Sequence, residues 1–306
     1  MKLTSKSQKM MGCTVTLSIF HPDAESILNS LFAFLWIFEQ RFSANSSHSE
    51  LASINRQAGK TPVQVESDLF DLIAIGKEHS LAKNSQLNIA IGPLVQAWRI
   101  GFADARVPQP EEIARALHLI DPQLIRLDEQ DQSVFLEKKG MKIDLGALAK
   151  GYAADLLAKE LHKQGVDNAL INLGGNVLTL GYNLSTGQPW RVGIQNPLEK
   201  RGRHLAIVPA TNQSVVTSGV YERTLTINGQ SYHHIFDRKT GYPIKSDLAS
   251  LTILSPKSLD GEIWTTRLFG KSIPEILVQI EGQEHLEALA IDTSNQLYST
   301  SGFPFL

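Results

Sequence analysis

Three segments of this chain have the residue types and spacing that chemistry needs. Glu262 and Thr266 lie four apart in Gly261-Glu262-Ile263-Trp264-Thr265-Thr266-Arg267-Leu268-Phe269. A helix there would put a carboxylate and a hydroxyl on one face, and oxygen donors suit a hard cation such as magnesium. Asp260 is the fallback carboxylate, on a different face; a surface Glu and a core-capping Thr remain the plain alternative. His234 precedes Asp237 by three residues in His233-His234-Ile235-Phe236-Asp237-Arg238-Lys239-Thr240-Gly241. Imidazole is the natural proton acceptor near pH 7; His233 competes for that role, and Asp237 would orient the loop or bind substrate. Lastly, Ile143-Asp144-Leu145-Gly146-Ala147-Leu148-Ala149-Lys150-Gly151-Tyr152-Ala153 delivers an Asp and then small residues into an amphipathic helix. Small residues at such a turn let a ligand approach the backbone, and Lys150 is a cation able to face phosphate. The same turn also reads as close packing of helix on strand, and Asp144 as a carboxylate favoured at a helix start.

The elements that must position these residues are mixed. Thr14 to Phe20 alternates polar and apolar residues as a half-buried strand does. From Ala24 to Phe42, after His21-Pro22-Asp23, the residues Ile27, Leu28, Leu31, Phe32, Leu35, Trp36 and Phe38 recur at helical spacing and read as a core stripe. Ser49 to Asn55 and Asp68 to Lys83 read as helices, the second capped by Ser67, and Pro108, Pro110 and Glu111-Glu112 open another. Ile125 to Leu127, Val134 to Leu136 and Lys142 to Leu145 read as short strands, Leu148 to Gln164 as the clearest later helix. Ala169 to Leu173, Trp190 to Ile194, Leu205 to Val208, Thr224 to Ile227 and Ser250 to Leu254 read as further strands. Asn228-Gly229 marks a two-residue hairpin. No repeat or long linker is visible, and the order predicts an α+β fold with a largely antiparallel sheet and packed helices.

At 306 residues, 42% apolar and 20% charged, the chain has the make-up of an ordinary globular protein, with a preference for one domain. A formal charge of -2 gives no electrostatic reason to expect nucleic acid or an anionic membrane. The single cysteine, Cys13, excludes an intrachain disulfide framework and a cysteine-rich metal site. No window approaches a membrane span. Met10-Met11-Gly12-Cys13 fails as a lipobox because nothing apolar precedes it, so a cytoplasmic location is expected.

Four more segments share the glycine-turn character: Met11-Gly12-Cys13, Asn88-Ile89-Ala90-Ile91-Gly92-Pro93-Leu94-Val95, Asn172-Leu173-Gly174-Gly175-Asn176 and Val216-Thr217-Ser218-Gly219-Val220-Tyr221-Glu222-Arg223. Together with the three segments above, in this order and spacing, they resemble the ApbE family, the FAD:protein FMN transferases, from about Met11 to Phe269. The family pattern has Thr where Cys13 stands, Pro where Arg238 stands and Asp where Glu262 stands. The resemblance implies a single ApbE-like, T-fold-related domain over 1–306. It implies flavin dinucleotide contacts at Met11, Asn45, Asn88, Ile89, Ala90, Asp144, Lys150 and Ile235, and a magnesium site from Glu262, Thr266 and the carbonyl of Ala147. His234 and Asp237 become the catalytic pair, with Thr217, Ser218, Tyr221 and Arg223 shaping the pocket.

The implied reaction is magnesium-dependent transfer of FMN from FAD to a Thr or Ser of an acceptor flavoprotein, with release of AMP. With water as acceptor, the same site would be an FAD pyrophosphatase; without turnover, a flavin-binding protein. Metal-dependent AMP release separates the enzymes from the binder.

Overall fold

The computed structural model describes residues 2–305. The chain opens with a hairpin, β1 (Leu3–Met10) and β2 (Cys13–Phe20), followed by helices α1 (Ala24–Phe42) and α2 (Glu50–Arg56). Next come β3 (Val63–Gln64), α3 (Ser67–Leu81), a short tight turn of helix at Ile89–Ile91, α4 (Gly92–Trp98) and α5 (Pro110–Leu117). Strands β4 (Ile125–Asp128) and β5 (Ser133–Leu136) lead to α6 (Ala149–Lys163), β6 (Ala169–Leu173) and β7 (Asn176–Leu180). The second half holds β8 (Trp190–Gln195), β9 (His204–Ala210), β10 (Ser214–Gly219), β11 (Thr224–Ile227), β12 (Gln230–His233) and β13 (Leu248–Ser255). Then α7 (Ser258–Leu268), α8 (Ile273–Glu281), β14 (Glu287–Asp292) and β15 (Leu297–Ser299) close the fold.

The main sheet has eight strands in the order β1-β2-β6-β7-β10-β13-β14-β15, and each pairing is antiparallel. That order contains the same unit twice: two adjacent strands, inserted helices, then two more. The halves join between β7 and β10 through the pairs Ser214↔Leu178 and Val215↔Val177. This repeat is topological, and no periodicity in the sequence betrays it.

Burial explains the layers. On one side, α1 sets Leu28, Leu31 and Leu35 into a core shared with Leu17 and Ile19 of β2 and Leu157 and Leu161 of α6. Each such leucine contributes about 1.5–3 kcal/mol relative to exposure. In the second half, Ile276 and Ile280 of α8 pack with Leu251 and Ile253 of β13 and Ala288 and Ala290 of β14. The β8–β9 ribbon covers part of the sheet, with Val192, Ile194 and Val208 beside Val177, Val215 and Leu254. A fourth cluster gathers α4 and α5 around the buried Trp98, and Phe236 of the histidine-bearing segment belongs to it. Trp98 Nε1 donates to the carbonyl of Gly241 at 2.9 Å, which ties that segment down at its far end.

Several expectations are corrected here. Trp36 is 59% exposed, because the stripe of α1 turns its Leu35 and Phe38 inward and leaves positions 36 and 37 outside. Lys142 to Leu145 is not a strand: Ile143 exchanges two hydrogen bonds with the Asn55 side chain instead, and Asp144 N donates to Ile89 O at 2.8 Å. Ser67 does not cap α3; Glu66 takes the cap position, without a side-chain hydrogen bond. Asn228 (φ 51°) and Gly229 (φ 78°) do form the expected hairpin turn between β11 and β12.

Candidate functional site

The glycine turns gather at one end of the main sheet. Met11 and Gly12 make the β1–β2 turn with φ of 51° and 70°, and Met11 N is fixed by Glu39 Oε1 at 3.0 Å. Gly174 and Gly175 make the β6–β7 turn, where Gly175 N donates to Asn172 Oδ1 at 2.9 Å. The two turns touch, since a Cβ on Gly174 would stand 2.6 Å from the Cβ of Cys13. The Arg223 guanidinium lies over Gly12, 3.9 Å from where its Cβ would be.

Beside these turns, α6 and α7 approach each other at Gly151. A Cβ there would meet Ser258 O at 2.6 Å and Glu262 Cγ at 2.8 Å. This closeness brings Lys150 Nζ to 3.8 Å from Glu262 Oε1. Glu262 is buried, with its side chain 6% exposed, so it is not the surface Glu of the plain reading. Asn176 Nδ2, at the start of β7, donates to the same Oε1 at 2.9 Å. Oε2 takes no hydrogen bond among the described residues. Thr266 follows one turn later on α7, half-buried, and Ala147 lies exposed just before α6. A single buried carboxylate, a hydroxyl and a backbone carbonyl are all oxygen donors, which fits magnesium. Among the described residues no group of three or more His, Cys, Asp or Glu is placed to hold a metal ion.

The two histidines separate cleanly. His233 Nε2 faces Ile244 O at 2.9 Å and its Nδ1 accepts from Ile235 N at 3.3 Å, so both nitrogens are committed to the fold. His234 Nδ1 lies 3.3 Å from Arg223 O. A carbonyl only accepts, so Nδ1 carries the proton and Nε2 is left as the acceptor. Burial, then the Arg223 charge, holds the His234 imidazolium down to a pKa of about 4, and Lys150 adds to this. The imidazole is therefore neutral at pH 7.

Asp144 is likewise under the positive field of Arg223, although burial pushes its carboxyl up, against a hydrogen bond from Gly146 N at 2.8 Å. The same two cations, Lys150 and Arg223, act on Cys13.

Asp144, Lys150, His234 and Glu262 are thus linked through the charges of Arg223 and Lys150, and Met11 adjoins Gly12, over which Arg223 lies. Other predicted residues have local duties. Asn88 spends its side chain on Ala90 N (2.9 Å) and Ile120 O (2.7 Å), and Ile89 and Ala90 are buried. Asp237 closes its own turn, with Oδ1 accepting from Lys239 N at 2.7 Å. Ile235 gives its carbonyl to Ile244 N, and Asn45 sits exposed in the loop between α1 and α2. Sequence reasoning did not single out Asp155, whose carboxylate accepts from Ser258 N and Leu259 N at the start of α7. No local spacing signalled it, because its partners lie on a distant segment of the chain.

Two cations, Lys150 and Arg223, a neutral imidazole and a buried carboxylate thus sit together on a sheet built of two hairpin–helix–hairpin halves, a charge arrangement suited to an anionic ligand. The family model of the ApbE family matches residues 11–290, and the chain belongs to that family. Over 300 residues it is 39% identical to a FAD:protein FMN transferase of Klebsiella pneumoniae (strain 342), covering 98% of this chain and 92% of that one. A FAD:protein FMN transferase of Treponema pallidum (strain Nichols) is 32% identical over 97% of this chain and 87% of its own length. The fold is shared with the ApbE protein of Thermotoga maritima (TM-score 0.89, 24% identity, 98% and 97% of the two chains). It is shared too with the flavin transferase ApbE from Vibrio cholerae (TM-score 0.87, 24% identity, 100% and 99%). No described helix is long and apolar enough to cross a membrane.

Proposed function

We propose that this transferase moves FMN from FAD onto a Thr or Ser hydroxyl of an acceptor flavoprotein, in a magnesium-dependent reaction that releases AMP. The observation that carries the reading is the state of His234: neutral, with Nε2 free to accept, inside the field of Lys150 and Arg223. The acceptor hydroxyl gives its proton to that nitrogen as its oxygen bonds to the FMN-side phosphorus. The phosphorus–oxygen bond to the AMP half then breaks, and the bridging oxygen leaves with AMP. Lys150 and Arg223 hold the pyrophosphate against its own charge. Magnesium held by Glu262, Thr266 and the Ala147 carbonyl would neutralise developing charge on the phosphate oxygens.

The remaining positions fit supporting roles. Met11, Asn45, Asn88, Ile89, Ala90, Asp144 and Ile235 line or shape the flavin dinucleotide site, largely through backbone groups where their side chains are buried. Asp237 sets the turn that carries His234. The whole chain acts as one domain.

The test is incubation with FAD and magnesium, with and without a Thr-containing acceptor domain, following AMP release and in-gel flavin fluorescence together. A fluorescent acceptor band that disappears with chelator and with Glu262→Ala is the expected result. AMP without a band would instead identify a pyrophosphatase, and intact bound FAD without either product a binder.

A further inference from the structure

The first turn of α7 is held from outside its own sequence. Lys257, which precedes the helix, supplies no side-chain cap. Asp155 of α6 does so in its place, accepting from Ser258 N at Oδ1 (2.7 Å) and from Leu259 N at Oδ2 (2.9 Å). Each oxygen thereby satisfies one of the N–H groups a helix start leaves unpaired. Ser258 is fully buried, and its hydroxyl donates to Asn176 Oδ1 at 2.6 Å. The carboxylate of Glu262 only accepts, so it fixes which way the Asn176 amide points, with Nδ2 toward Glu262 Oε1 and Oδ1 toward the Ser258 hydroxyl that anchors it.

From this geometry we infer that Asp155, Ser258 and Asn176 form a positioning relay that fixes the rotamer of Glu262 and reserves its Oε2 for the divalent cation. The inference rests on the reading of Glu262 as a metal ligand. The relay runs from α6 to the start of α7, across to β7 and back to α7, so it locks the carboxylate against two elements of the first half at once. With Oε1 occupied by the Asn176 amide, the carboxylate offers one oxygen in one direction. Removing Ser258 Oγ leaves Asn176 Oδ1 without its anchor and lets the amide swing away from the carboxylate. Replacing one oxygen of Asp155 by NH2 sets a donor against a helix N–H. Either change lets Glu262 drift without touching the flavin contacts. Partners of this kind behind a metal ligand are worth about 10–100-fold in affinity.

The test uses the full chain with Mn2+ as a paramagnetic stand-in, comparing wild type, Asp155→Asn, Ser258→Ala and Glu262→Gln. Mn2+ affinity is read by electron paramagnetic resonance, FAD affinity without metal by flavin fluorescence, and fold by melting temperature. Both relay variants should weaken Mn2+ binding about tenfold or more, with FAD affinity held within about twofold. Glu262→Gln sets the limit of complete ligand loss. Unchanged Mn2+ affinity in a folded variant overturns the relay. So does a parallel fall of metal affinity, FAD affinity and melting temperature, which would mark general loosening of the α6–α7 contact. Ser258→Ala deletes a single hydroxyl and keeps the question open to measurement if Asp155→Asn fails to fold. A wild type that binds FAD but no Mn2+ removes the metal reading and the relay together, while leaving flavin binding intact.

Discussion

Gly151→Ala is the most informative single substitution in this fold. The added Cβ would sit 2.6 Å from Ser258 O, 2.8 Å from Glu262 Cγ and 2.9 Å from Leu259 Cα. Two of those atoms are backbone, so no side chain can rotate away. Restoring 2.6 Å to an ordinary contact of 3.4 Å requires a separation of 0.8 Å between α6 and α7. Taken along the Asn176–Glu262 direction, the same shift would stretch the 2.9 Å bond to about 3.7 Å, too long for a hydrogen bond. Stability should fall by no more than about 2 kcal/mol, because overpacking costs about 1–3 kcal/mol while Ala gains about 1 kcal/mol of helix propensity over Gly. Activity should fall much further, since a misplacement of about 1 Å is worth up to about a hundredfold. The assay is AMP release at saturating FAD and magnesium, alongside a melting curve. Gly282→Ala is the control, for its added Cβ would meet nothing closer than 3.7 Å. A Gly151→Ala protein with wild-type turnover would refute the claim that the α6–α7 contact sets the geometry of Glu262.

Other outcomes follow from the same contacts. Because burial and Arg223 hold His234 to a pKa of about 4, turnover should lack a rise between pH 6 and 7 and decline only as pH approaches 4–5. The depressed pKa also means that His234 favours the fold fully above its unfolded pKa of 6.5, and that this contribution is lost as pH falls toward 4. His234→Gln should flatten that part of the stability profile in denaturant titrations, and an unchanged slope would contradict the burial. Arg238 donates from Nη1 to the carbonyls of Ser80 (3.0 Å) and Ser85 (3.1 Å), tying the histidine segment to the end of α3. Its removal as Arg238→Ala should cost about 1.5–3 kcal/mol in urea unfolding, with Arg238→Lys recovering most of it.

How far the sequence reached depends on what holds each segment. Periodic burial made α1 and β2 readable, and an Asn-Gly pair made the β11–β12 turn readable. β1 was not: Thr4 to Lys9 is almost wholly polar, and it is a strand because β2 offers it a backbone ladder from Leu3↔Phe20 to Met10↔Cys13. β7 was hidden because all five of its residues are buried and it follows two glycines, so no alternation announced it. Lys142 to Leu145 looks like a strand by composition, yet the Asn55 side chain takes the place of a partner strand. In the site, Glu262 and His234 were visible from local pattern. The resemblance already favoured His234 over His233; what only the fold adds is that Ile244 and Ile235 consume both nitrogens of His233. Asp155 acts across 103 residues of chain, a distance at which no spacing rule operates.

The join between the two topological halves carries a mechanical consequence. β7 and β10 share two ladder pairs, whereas β1–β2 share eight and β10–β13 six. Glu262 lies on one side of that join, and Lys150, Asn176 and Asp155 on the other. The centre therefore works like a clasp closed over the weakest stitch of the sheet. Leu259 and Ile263 of the same helix are set into the first half's core, so a slow parting of Glu262 from its companions would loosen that core with it. Amide exchange at Val215 should then report the opening of the site, and a molecule that bridges the halves should slow it.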